Sequence, residues 1–144
     1  MTKNQLITSI ARAISRMEGY EILNSVARRN ANPGNLRSWG RLPVVNGYVK
    51  FPNAEEGWRA LAAQIEYNIM GKGKADPFKL RQQGLSLREF FAGQRDENGA
   101  VLPGGYPGYA PSADSNHPEH YAQFVAKAAG LDDIDKKLKE YITA

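Results

Sequence analysis

Asn46-Gly47 stands between Val44-Val45 and Tyr48-Val49. Apolar and β-branched residues on both sides of Asn-Gly are the strongest short-range signal for a β-hairpin. With Pro33-Gly34, whose order suits the centre of a type II turn, they predict a small sheet of two or three strands between about Asn35 and Phe51. The periodic segments around it are helical. Leu6, Ile7, Ile10, Ile14 and Met17 share one face of a helix from about Asn4 to Met17, with Gly19 as its stop. Asn53, with Glu56 three residues on, caps a second helix that carries Trp58, Leu61, Ala62, Ile65 and Ile69 on one face. A short hairpin set among helices makes the chain α+β and predominantly helical.

Further along, Asp76-Pro77 reads as N-cap and first helical residue of a short helix that Gly84 ends. Ser86 and Glu89 form a capping box ahead of Phe90 and Phe91. A helix from about Pro118 to Ala129 closes at Gly130, with its N-cap expected among Asp114, Ser115 and Asn116, and a last short helix presents Ile134, Leu138 and Tyr141. Trp58, Phe90, Phe91 and Phe124 stand at the spacing of packing residues. The stretch from Gly93 to Asn116 is loop-like, and loops longer than about 15 residues in a compact domain are more often functional than idle. No repeat or linker divides the chain, so residues 1–144 are expected to form a single domain. A chain of this length buries roughly two thirds of its unfolded surface and needs no metal or disulfide to hold it.

Several classes of function are excluded. The absence of cysteine removes thiol catalysis, zinc-cysteine sites and disulfide frameworks. His117 and His120 are the two histidines and lack the acidic framework of a zinc helix, so neither metal nor cofactor is expected. A net charge of +4, from 19 Lys and Arg against 15 Asp and Glu, implies mild attraction to polyanions but no specific nucleic-acid surface. No segment approaches the ~18 apolar residues of a membrane span. Thr8, Ser9, Arg12, Ser15 and Arg16 interrupt what would be a signal-peptide core. Synthesis in the cytoplasm is the expectation, with any cell-wall target reached by another route.

Glu18 is the most informative acid. It ends the first helix, directly before Gly19, where the helix dipole disfavours a carboxylate by a few tenths to about 1 kcal/mol; partial burial would raise its pKa further, as a general acid near neutral pH requires. The same position also suits a solvated terminal residue. The segment from Asn30 to Arg37 carries three asparagines around one turn, Asn30, Asn32 and Asn35. Their neutral amides both donate and accept, which matches sugar hydroxyls and N-acetyl groups, and equally suits the backbone of a turn. Tyr109, Asp114 and Asn116 place an aromatic hydroxyl, a carboxylate and an amide just before a helix, where they could line a cleft.

Taken in order, ISRMEG, ARRNANPGNLR, FPNAEEGWRAL and YAPSADSNHPEHYAQFVAKAAGL resemble the phage and prophage lysozyme-like lytic transglycosylases, from about Ile14 to Leu131. The family's glycine after the acid, asparagine-rich segment, aromatic helix and Tyr-Ala-Pro loop map onto Glu18-Gly19, Asn30 to Arg37, Gly57-Trp58 and Tyr109 to Pro111. Ala31 departs from the pattern, standing where a further asparagine is expected, and this bears on a substrate contact but not on the fold. The resemblance implies a lysozyme-like fold with a helical lobe, a small β-hairpin lobe and a cleft between them. It also implies cleavage of the β-1,4 bond between N-acetylmuramic acid and N-acetylglucosamine in peptidoglycan, with Glu18 as catalytic acid. Substrate contacts are then expected from Asn30, Asn32, Asn35, Arg37, Tyr109, Asp114 and Asn116.

Glycosidases that hydrolyse their substrate need two carboxylates about the scissile bond. Glu21, Glu55, Glu56 and Asp114 are candidates for the second, none of them singled out by its position. With Glu18 alone, the substrate's own N-acetyl or 6-hydroxyl group would complete the displacement and leave a 1,6-anhydromuramyl end. Lytic transglycosylase action is therefore expected ahead of muramidase hydrolysis. Two other classes stay open: a non-catalytic wall-binding or virion structural module, and a basic polyanion-binding domain using Arg28, Arg29, Arg37 and Arg41, which would bind with strong salt dependence. The expected partners are peptidoglycan glycan strands and phage virion components, with delivery by virion or holin; a monomer is the expected state.

Overall fold

The computed structural model describes residues 1–110 and 117–143. About half of the chain is helical and the described residues hold one two-stranded antiparallel sheet, so the fold is α+β. Its helices are α1 (Lys3–Met17), α2 (Val26–Arg29), α3 (Ala54–Met70), α4 (Leu87–Ala92) and α5 (Pro118–Ala129), and its strands are β1 (Val44–Val45) and β2 (Tyr48–Val49). Two compact units divide it: Ile7–Ile65, and Met1–Leu6 with Glu66–Ala144.

In the unit Ile7–Ile65 the hairpin forms where Asn-Gly predicts it. Val44 pairs with Val49 and Val45 with Tyr48; Asn46 and Gly47 take φ of 56° and 86°, the two positive values a type I′ turn needs. Among the described residues no third regular strand joins it. Instead the segment from Asn30 to Leu36 lends carbonyls to the hairpin, accepting from the N–H groups of Phe51 and Val49 at 2.8 and 2.9 Å. The left-handed residue in its Asn32–Asn35 turn is Asn35, at φ 47°, one place later than the expected type II turn requires. α3 starts as predicted, with the Asn53 side chain accepting from the Glu56 N–H at 2.9 Å, and Leu61 and Ile65 are fully buried along it.

Both short connections into this unit use the same device. After α1 the N–H of Gly19 donates to the Arg16 carbonyl and that of Tyr20 to Ser15, with Gly19 at φ 74°, which is a Schellman motif. After α2 the N–H groups of Ala31 and Asn32 donate to Arg28 and Ala27, with Ala31 at φ 50°. Ala31 therefore occupies the position that this motif reserves for glycine or asparagine. Beside any bearing on a substrate contact, the alanine strains the backbone, since a left-handed L-residue costs roughly 1–2 kcal/mol. Ala31→Asn is expected to recover part of that cost and raise the midpoint of a thermal melt by about 2–4 °C; an unchanged or lowered midpoint would contradict this origin.

The other unit buries Phe90 and Phe91 of α4 completely, with Phe91 stacked on Tyr121 of α5 at 4.3 Å between ring centroids. The Ser86–Glu89 capping box is present, and α5 ends at Gly130 with φ 73°. Three expectations are corrected. Asp76 does not cap a helix: its carboxylate accepts from the N–H groups of Lys72 and Phe78, both at 2.9 Å, and the turn that follows is a 3₁₀ segment, Lys79–Gln83. The N-cap of α5 falls on His117, with no side-chain cap bond. Phe124 is 39% exposed, because Tyr121, Ala122, Val125, Ala126 and Ala129 form the buried stripe and position 124 lies off it. The stretch from Gly93 to Ala110 is a loop tied down by its own side chains. Gln94 accepts from the Tyr106 N–H at 2.9 Å and Arg95 donates to the carbonyls of Ala92, Gly99 and Pro107.

Candidate functional site

Glu18 is the C-cap residue of α1, half-buried, with its N–H donating to the Ile14 carbonyl at 2.9 Å. Its carboxylate therefore belongs to the carbonyl end of a 15-residue helix. Gly19 next to it is required by its φ of 74° more than by space, since an added Cβ would stand 3.6 Å from Ile22 Cδ1, an ordinary contact. Beyond Gly19 the chain exposes Ile22 and Leu23, 65% and 79% accessible.

The asparagine segment lies in the same unit and does structural work. Asn32 is fully buried; its Nδ2 donates to the carbonyls of Leu36 and Val49, both at 2.9 Å, while its Oδ1 accepts from the Leu36 N–H. The side chain thus mimics a strand that the backbone does not form. Asn30, 2% exposed, donates to the Val45 and Tyr48 carbonyls at 2.8 and 3.4 Å. Both amides serve the turn and the hairpin, so any effect they have on a ligand runs through the position of the hairpin. Asn35 differs: its Oδ1 is buried with no hydrogen-bond partner among the described residues. Arg37 is exposed and its guanidinium lies 5.8 Å from the Tyr48 ring centre.

Tyr109 belongs to the other unit. Half-buried, it packs against Phe90 and Phe91 at 5.6 and 5.9 Å, its N–H donating to the Phe90 carbonyl. Asp114 and Asn116 lie outside the described residues. Glu18, Asn30, Asn32, Asn35 and Arg37 thus fall within the unit Ile7–Ile65. Compared with protein-family models, curated proteins and solved structures, the chain matches none.

Each described candidate for a second carboxylate has an arginine beside it. Glu55 and Glu56 both pair with Arg59, at 2.9 and 3.2 Å, and Glu21 stands 3.7 Å from Arg16. Asp114 is outside the described residues. No group of three or more histidine, aspartate or glutamate side chains able to hold a metal occurs among the described residues.

Two constellations were not legible in the sequence. One is a pocket of about 660 Å³ in the unit Ile7–Ile65, bounded by α1, α3 and the turn after α1. Trp58, read from spacing as a packing residue, is only half-buried and lines this pocket, edge-on to Tyr20 at 5.5 Å. The available signal was a pair of small residues, Ala11 and Ala62, on otherwise apolar helix faces. The other is a buried ion pair in the second unit. Arg81 Nε and Nη2 donate to the two carboxylate oxygens of Asp76 at 3.0 and 2.9 Å, and Nη1 donates to Asn68 Oδ1 at 3.1 Å. Phe78, Tyr106 and Tyr67 surround the guanidinium at 4.9, 5.3 and 5.9 Å. Burial alone would push the Asp76 carboxyl up; the hydrogen bonds from Arg81, Phe78 and Lys72 overcome it and hold the group below the ordinary carboxylate range.

Proposed function

We propose that this chain cleaves peptidoglycan glycan strands at the β-1,4 bond between N-acetylmuramic acid and N-acetylglucosamine, as a lytic transglycosylase of lysozyme-like fold. The observation that carries the reading is Glu18 at the C-cap of α1, half-buried and followed by a left-handed Gly19. There a carboxyl group stands at the carbonyl end of the helix, beside a residue without a side chain. The four ordered segments of the sequence resemblance support the same assignment. Glu18 gives its proton to the glycosidic oxygen as the bond to muramyl C1 breaks. The muramyl 6-hydroxyl then bonds to C1 and returns a proton to the Glu18 carboxylate, so the 1,6-anhydro end forms without water. The pairing of Glu21, Glu55 and Glu56 with arginines favours this single-carboxylate route over hydrolysis. Delivery in a virion or through a holin would bring the protein to the wall.

Mass spectrometry of the soluble fragments from purified peptidoglycan, digested by the wild type and by Glu18→Gln, tests the proposal. The wild type is expected to release anhydro-ended disaccharide peptides and the variant to release none above background. Reducing ends in place of anhydro ends would make the enzyme a muramidase. Folded wild type that releases nothing from several wall types would overturn the enzymatic reading in favour of a wall-binding or virion structural module.

A further inference from the structure

The pocket between α1 and α3 is separate from Glu18, which does not line it. Its volume, about 660 Å³, falls in the range of roughly 300–1,000 Å³ typical of ligand sites. The apolar part of its lining comes from Ile7, Ala11 and Ala62, and the half-buried indole of Trp58 adds a flat face. The charged part comes from Arg12, Arg28 and the exposed pair of Arg16 and Glu21, 3.7 Å apart. Arg12 and Arg16 are exposed and one helical turn apart on α1, about 5–6 Å between their Cβ atoms. Arg28, which also lines the pocket, is braced over the Tyr20 ring at 4.7 Å, with its Nε donating to the Tyr20 carbonyl at 3.0 Å.

Arginines lining an apolar pocket suit the carboxylates of an extended ligand whose apolar parts pack between them. Ala11 and Ala62 present methyl groups on which aliphatic parts of a ligand can rest. We propose that this pocket binds a short acidic peptide, its carboxylates on the arginines and its aliphatic groups against Ala11, Ala62 and Trp58. Peptidoglycan carries acidic peptides as the stems on its glycan, so the source assigned to the ligand rests on the glycan-cleaving reading, while the pocket's chemistry does not.

The test uses the full chain with Trp39→Phe, which leaves Trp58 as the one indole. The free tripeptide L-Ala-γ-D-Glu-meso-diaminopimelate is titrated against Trp58 fluorescence, beside the same tripeptide with amidated carboxylates and a peptide-free chitooligosaccharide. Backbone ¹⁵N–¹H shifts of Ala11 and Ala62 in the wild type provide the same reading without substitution. A saturable response to the acidic tripeptide is expected, weakened about tenfold by amidation and by Arg12→Gln with Arg16→Gln, with no response at these positions to the sugar. No saturable response at millimolar tripeptide, or equal binding of the amidated form or by the double variant, overturns the proposal. Peptide binding without glycan cleavage would remove the transglycosylase reading alone, and cleavage without peptide binding would remove the pocket assignment alone.

Discussion

Asp76→Ala is expected to destabilise the chain by about 3–5 kcal/mol, because it strands the Arg81 guanidinium in the interior without its counter-charge. Arg81 is 2% exposed and Asp76 fully buried, so water cannot take over the lost bonds. Three aromatic rings around the guanidinium would remain, and ring faces replace only a part of a bidentate carboxylate. Urea unfolding followed by circular dichroism measures the loss. Asp76→Leu with Arg81→Met, which leaves no buried charge, should lose less than Asp76→Ala alone. A double variant as unstable as the single one would show that packing, and not charge, holds this region.

The same pair sets a pH dependence. Asp76 has its folded pKa depressed, so its contribution is complete above the unfolded-state carboxylate value of about 3.9 and is lost as pH falls through the lower folded value. The urea midpoint of the wild type should therefore drop between about pH 5 and pH 2, and Asp76→Asn should flatten that limb while lowering the midpoint at neutral pH.

Gly57→Ala is expected to cost about 2–4 kcal/mol, against the roughly 1 kcal/mol that alanine gains over glycine inside a helix. A Cβ at position 57 would clash with the Ala31 carbonyl oxygen and stand 2.9 Å from Pro33 Cδ. The first of these is backbone, so α3 or the Ala31–Pro33 segment must move. Asn32 lies in that segment and holds Leu36 and Val49 by its amide, so the movement reaches the hairpin. Thermal melts and ¹⁵N–¹H spectra of the variant test this: a lower midpoint with shifted hairpin amides is expected. A stability equal to or above the wild type would mean that the close approach is not needed.

These results separate two kinds of information in the chain. The Asn46-Gly47 hairpin, the Asn53 cap, the Ser86–Glu89 box and the Gly130 stop all follow from contacts within a few residues, which is why spacing alone located them. The position of Glu18 before Gly19 was legible for the same reason, since a Schellman motif is closed by neighbours. Where an expectation failed, a distant partner had taken the group. Asp76 looked like a helix cap because its competitor for that role, the side chain of Arg81, is brought to it only when the 3₁₀ turn folds back. Of the two roles open to Asn30 and Asn32 in the sequence, the backbone one takes partners at residues 45 to 49, which are far along the chain. Gly57 carried no local reason to be glycine until Ala31 was placed against it. Helix ends, turns and buried faces are short-range consequences of propensity and hydrogen-bond supply. The pocket between α1 and α3, the caged Arg81 and the asparagine that stands in for a strand exist because packing brings together groups that no periodicity relates.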